Sequence, residues 1–308
     1  MNSRANINIH YLRHNEIDRQ KWDKCILSSV NGIIYAFSWY LDIVCEGWQA
    51  LVSNDYEAVM PLPAFRKYGI NYLAQPFFTQ QLGVFSTKKM DEELITRFML
   101  AIPPKFKYID LKLNTFNLFN HPGFQVTRNV TYEMDLIQPY NQLYRKYAEN
   151  TKRNLKKAMQ NKVYIVKGLS ANSLINLKKE YAIHKLTESN YNTIRKIMSF
   201  ALRRRIGYLY EAYTRENTLG AAAFFLVSHN KAIYLFAGSS EMGKENRAMF
   251  MLADHFIREN AEKNLTLDFE GSNNKNVARF FAGFGAHPCQ YLSVKSNRLP
   301  WYLRMVKR

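Results

Sequence analysis

The segment Leu267-Asp268-Phe269-Glu270-Gly271-Ser272 sets two carboxylates two residues apart at the end of an apolar run. Side chains alternate along a strand, so Asp268 and Glu270 are expected on one face and Leu267 and Phe269 on the other. Ligands of open α/β sheets gather outside the carboxyl ends of the strands, which puts Glu270 and Ser272 beside a cleft. A carboxylate there can take the proton of an attacking nucleophile, directly or through water. Neighbouring carboxyls also raise each other's proton affinity. Glu270 is therefore the candidate base, with Asp268 as its companion. A structural alternative has the pair capping the next helix or binding Arg279. Arg279 stands among Val277, Ala278, Phe280 and Phe281, where a guanidinium needs an anion: Glu270 or a substrate group.

A second group of residues could hold phosphates. Residues 145–167 contain eight Lys and Arg and a single acid, Glu149. Thr151 is placed to cap the helix that follows, and Arg153, Lys156 and Lys157 fall within its first turns. Such a cluster would bind a nucleic acid with an affinity that falls as salt rises; otherwise it is a solvated helix face. Arg203-Arg204-Arg205 reads as a solvated face. Gln80 and Gln81 follow an aromatic run and can hold an acyl oxygen or a peptide backbone, or can satisfy their own loop. The seven histidines show no HExxH, HxH or paired spacing, and no GxSxG, P-loop or GxGxxG occurs. Metal enzymes, serine hydrolases, NTPases and dinucleotide enzymes are thus not supported.

These residues need elements to position them. The first half predicts strands over 32–37, 48–52, 56–65 and 70–74, with a short helix over 39–45. A helix opened by Asp91-Glu92-Glu93 and a strand over 108–113 complete it. In the second half strands are expected over 163–167, 208–213, 219–227, 232–237, 265–269 and 290–295. Helices are expected over 247–262 and 277–284. Each half reads as hairpin, strand, loop, helix, strand, which predicts two mixed α/β domains, 1–138 and 139–308, the second carrying the basic segment 145–167. The hydrophobic share of 47% in 308 residues is that of a chain with a large core. Cys25, Cys45 and Cys289 are odd in number and widely spaced, so a reduced, cytoplasmic setting is expected. No apolar run reaches the roughly 20 residues of a membrane helix. The formal charge of +18 favours anionic partners.

The order of elements is similar to the GNAT fold, and its tandem arrangement resembles the Fem-type peptidyltransferases and related GNAT-like acyltransferases. Three segments carry the resemblance: residues 149–158 with the strand behind them; residues 267–272 with Ala278-Arg279-Phe280-Phe281 and Phe284-Gly285-Ala286; and residues 75–83. It spans roughly residues 30–295. It implies transfer of an acyl or aminoacyl group to the amine of a small molecule or peptide, with no covalent enzyme intermediate. Acyl-CoA is the expected donor, since the fold most often uses it. A charged tRNA with a cell-wall precursor as acceptor is the Fem-type alternative. GNAT proteins that use acyl-CoA hold its pyrophosphate in a Q/R-x-x-G-x-G/A loop at a helix N-terminus. The corresponding stretch here, from Ser239 through Ser240, Gly243, Lys244 and Asn246 to Arg247, offers one glycine and two acids. Those six residues are the candidates for binding the donor. Gln80, Gln81, Arg153, Lys156, Lys157, Ser272 and Arg279 are the candidates for binding the substrate. A protein that keeps the fold and only binds nucleic acid or an anionic surface is the non-enzymatic alternative.

Overall fold

A computed structural model describes residues 8–182, 185–270 and 275–300. The chain forms a mixed α/β structure that divides into two compact units, Met1–Asn129 with Gln290–Arg308, and Val130–Cys289. The division thus falls nine residues before the expected 138/139 boundary, and most of the last strand, from Gln290 on, belongs to the first unit.

The first unit opens with β1 (Ile9–Leu12), α1 (Arg19–Ser28) and α2 (Ser38–Val44). Strands β2 (Gln49–Ser53), β3 (Ala58–Leu62), β4 (Ala64–Lys67), β5 (Ile70–Ala74) and β6 (Phe85–Ser86) follow. The expected strand over 32–37 is instead a 3-10 turn at Ile34–Ala36. The expected strand over 56–65 is two, interrupted at Pro63, which has no N–H for a ladder. Helix α3 (Glu92–Leu100) begins where the acids predict. Asp91 accepts the Leu94 N–H at 2.9 Å, and Leu94, Ile95, Phe98 and Met99 face the core. Strand β7 (Phe106–Lys112) lies parallel to β5.

Strand β8 (Gln125–Asp135) leads into the second unit, which continues with α4 (Tyr140–Arg145), α5 (Glu149–Gln160) and β9 (Tyr164–Gly168). Two helices outside the sequence-based expectation follow, α6 (Ala171–Tyr181) and α7 (Glu188–Arg203), capped by Ser170 and Thr187. Next come β10 (Gly207–Tyr213), β11 (Leu219–Ser228) and β12 (Lys231–Ser239). His229 and Asn230, both at positive φ, supply the two-residue turn that joins β11 to β12. The remaining elements are α8 (Glu241–Glu245), α9 (Ala248–Asn260), β13 (Thr266–Asp268), α10 (Lys275–Ala282) and β14 (His287–Asn297).

In the second unit the strand order is β8-β13-β12-β11-β10-β9, antiparallel except where β12 meets β13. Small residues on β10 and β11, Ala212, Ala221 and Ala223, share a core with α9. Phe225 stacks on Phe256 there at 3.8 Å. Leu155 and Ala158 of α5 bury against the same core, which leaves that helix's charged residues outside.

Candidate active site

Strands β12 and β13 are paired only from Lys231 and Thr266 to Ile233 and Asp268. Strand β12 then runs on to Ser239 without that partner. The space so opened is a cleft of about 640 Å³ at the carboxyl end of the parallel pair. Tyr234, Ala237 and Gly238 of β12 form its floor; Val277, Phe280 and Phe281 of α10 and Met249 and Phe250 of α9 form apolar walls. Leu177, Lys178 and Tyr181 of α6 close the remaining side. The aromatic wall is interlocked: Phe250 meets Phe280 edge-on at 4.9 Å, and Phe281 stacks on Phe269 at 4.9 Å.

Of the six residues expected to hold the donor, Ser239, Gly243, Lys244 and Arg247 line this cleft, while Ser240 and Asn246 do not. The segment is a closed turn of helix. Ser240 caps α8 by accepting the Gly243 N–H at 3.1 Å and donates to the Gly220 carbonyl at 3.2 Å. Ser239 also donates to Gly220, at 3.1 Å. Gly243 is required by packing, since a Cβ on it would lie 1.8 Å from the Gly220 carbonyl oxygen. Lys244 is paired with Glu241 at 2.6 Å, and Asn246 bonds the Met242 carbonyl at 2.9 Å. Arg247 holds a left-handed backbone at φ 60° and donates from Nη1 to the Lys244 carbonyl at 2.9 Å. Its Nε is buried and has no hydrogen-bond partner among the described residues.

The carboxylates at 268 and 270 do different things. The strand stops at Asp268, and Glu270 turns to φ 50°, so the expected alternation does not continue through it. Asp268 is buried and accepts from Thr131 Oγ1 at 2.6 Å and from the Glu270 N–H at 2.9 Å. Lys231 lies 3.7 Å from Asp268 and 2.6 Å from Glu133. Burial alone would lower the Lys231 pKa, but these two carboxylates hold it above its ordinary value. Asp268 therefore belongs to a structural charge network, and its ionic partner is Lys231 rather than Arg279. Arg279 is exposed on α10 and makes no ion pair among the described residues. Glu270 is partly accessible, and desolvation raises its carboxyl to about 8. It follows directly on Phe269, which stacks against the cleft wall, although Glu270 is not itself among the lining residues. Ser272 lies outside the described residues.

Residues farther along the chain are placed as follows. Helix α5 begins at Glu149, so Thr151 is a buried residue of its first turn rather than its cap. Arg153, Lys156 and Lys157 are exposed on α5, while Lys152 is drawn to Glu149 at 2.9 Å. In the first unit Gln81 is buried; it donates to Gln80 Oε1 at 2.8 Å and accepts the Thr115 N–H at 3.1 Å, tying its loop to the segment that follows β7. Lys178 is a cleft residue that the sequence does not single out. It sits on a helix outside the expected elements, and a lone lysine carries no motif.

No protein-family model and no curated protein matches the sequence. Solved structures do match the fold. FemX aligns with a TM-score of 0.67 over 97% of this chain and 99% of its own, at 11% identity. The C-terminal domain of a putative lysylphosphatidylglycerol synthetase from Agrobacterium fabrum aligns at 0.54, over 94% of each chain and 10% identity. L-PGS from Bacillus licheniformis aligns at 0.53, over 94% of each and 9% identity. The protein shares the fold of FemX. Among the described residues, no helix is long and apolar enough to cross a membrane.

Proposed function

We propose that the protein is a transferase that moves an aminoacyl group from a charged tRNA to a substrate amine. The closed state of the segment before α9 carries this reading. Its serines are spent on capping and on Gly220, its glycine on packing, and its lysine on Glu241, so it offers no ready cradle for a coenzyme pyrophosphate. The exposed cations of α5 supply the complementary feature, a surface for a polyanion on the same unit as the cleft. Likeness to FemX and to the lysylphosphatidylglycerol synthetases accords with an aminoacyl donor.

In this reading the aminoacyl ester enters between the ends of β12 and β13, and the acceptor amine attacks its carbonyl carbon. Glu270 is the proposed proton acceptor. A carboxyl with a pKa of about 8 is basic enough to take a proton from an amine at the point of attack. Arg279, exposed on α10, is the proposed contact for a substrate phosphate. Acyl-CoA is the second reading, favoured by the presence of Ser239, Gly243, Lys244 and Arg247 on the cleft wall. Calorimetric titration separates the two. Saturable binding of charged tRNA, with no heat from acetyl-CoA, is the expected result. Micromolar binding of acetyl-CoA would overturn it and reinstate the coenzyme.

A further inference from the structure

Lys178 reaches across β12 into the cleft. Its Nζ donates to the Ala237 carbonyl at 3.1 Å, and it makes no ion pair among the described residues. Gly238 lets α6 pack closely there: a Cβ on it would lie 3.2 Å from Leu177 Cβ and 3.4 Å from Lys178 Cγ. The cleft that it enters is largely apolar, with Tyr234, Phe281 and Val277 among its lining residues. An ammonium so placed, with one proton committed and two remaining, is short of an anion. Burial lowers its pKa accordingly. A partner that arrives with the ligand would relieve that deficit.

We infer that Lys178 holds the carbonyl oxygen of the transferred group, and that the cleft accepts aminoacyl groups with uncharged, apolar side chains. This rests on the transfer reading above. As the amine nitrogen bonds to the carbonyl carbon, the C=O π pair moves onto oxygen, and the resulting oxyanion lies against the Lys178 ammonium. The pair then returns to form the amide C=O, and the bond to the ribose oxygen breaks. The nitrogen gives up one proton and the ribose oxygen gains one, so no net proton is released. The aromatic and aliphatic walls take the amino-acid side chain. A cationic side chain is repelled by Lys178 and Arg247, and an anionic one would have to leave water for an apolar wall.

The test uses the whole protein and two probes. The first is 3-phenylpropionate, whose carboxylate stands for the oxyanion and whose ring stands for the side chain, with binding followed by ligand-detected NMR. Lys178→Met is expected to weaken it by about tenfold or more, and Lys178→Arg, which keeps the cation, to weaken it less. The second is single-turnover transfer from phenylalanyl-tRNA and lysyl-tRNA to an amine-bearing peptide. The phenylalanyl donor should be faster by at least about tenfold, and Lys178→Met should slow it by about 10²–10³-fold. If transfer occurs but Lys178→Met leaves its rate unchanged, or lysyl-tRNA serves equally well, the inference is wrong while the transferase reading stands. If phenylpropionate binds through Lys178 but no charged tRNA is ever consumed, the transferase reading fails and the cleft's preference for an apolar anion survives. Equal phenylpropionate affinity in Lys178→Met and the parent overturns the assignment of the ammonium.

Discussion

Glu270, two residues beyond the end of β13 at Asp268, holds a left-handed backbone conformation that costs a non-glycine residue about 1–2 kcal/mol. Its carboxyl is raised to about 8 by desolvation. A carboxyl whose folded pKa exceeds its unfolded value of about 4.3 binds its proton more tightly in the folded state. Stability therefore falls as pH rises through the interval between those values. Glu270→Gln should remove that loss, so its melting temperature should decline less between pH 5 and pH 8 than the parent's. Turnover should respond in the opposite sense: the parent rate rises towards a plateau above about pH 8. Glu270→Gln should lose about 10²-fold or more in kcat together with that limb. A variant that retained the pH limb would remove Glu270 from the chemistry. Gly243 makes a separate case. Because a Cβ would meet Gly220 at 1.8 Å, Gly243→Ala should lower the denaturation midpoint by the equivalent of about 1–3 kcal/mol. An unchanged midpoint would mean that the glycine serves a ligand instead.

At the scale of elements, α5 shows how one helix divides its work. Thr151, Leu155 and Ala158 are buried, and Arg153, Lys156 and Lys157 are turned to solvent. Replacing exposed charges leaves packing intact, so Lys156→Glu with Lys157→Glu should shift stability by no more than about 0.5 kcal/mol per site. It should weaken tRNA binding and flatten its dependence on log salt by roughly one unit for each phosphate that is no longer neutralised. Parent-like affinity and slope would move the tRNA to another surface. The helix is legible in the sequence as a basic run, but its start is not. Thr151 reads as a cap because capping types are read locally, whereas the cap of α5 lies three residues earlier, at Ala148, and the threonine is buried. Strands show the same limit. Residues 70–74 and 219–227 alternate or bury strongly enough to be located within a residue or so, while 32–37, equally apolar, folds into a buried 3-10 turn. Apolar side chains report burial, and burial alone does not choose between these backbones.

Across the whole molecule, a formal charge of +18 sets a field that draws polyanions and is screened by salt. Charged-tRNA affinity in the titration proposed above should accordingly fall steeply with ionic strength, which binding dominated by the apolar cleft would not show. By itself the sequence determined the mixed α/β class, the order of elements that resembles the GNAT and Fem-type folds, the strand-end acids and the basic run. These are local or periodic features, written in neighbouring residues. Only the tertiary structure decided what each residue meets. It gave Asp268 to Lys231 instead of Arg279, set Gly243 against Gly220, returned most of β14 to the first unit and brought Lys178 against β12. Each of those outcomes depends on how segments distant in the chain meet, where side-chain volume, charge pairing and strand register are settled together.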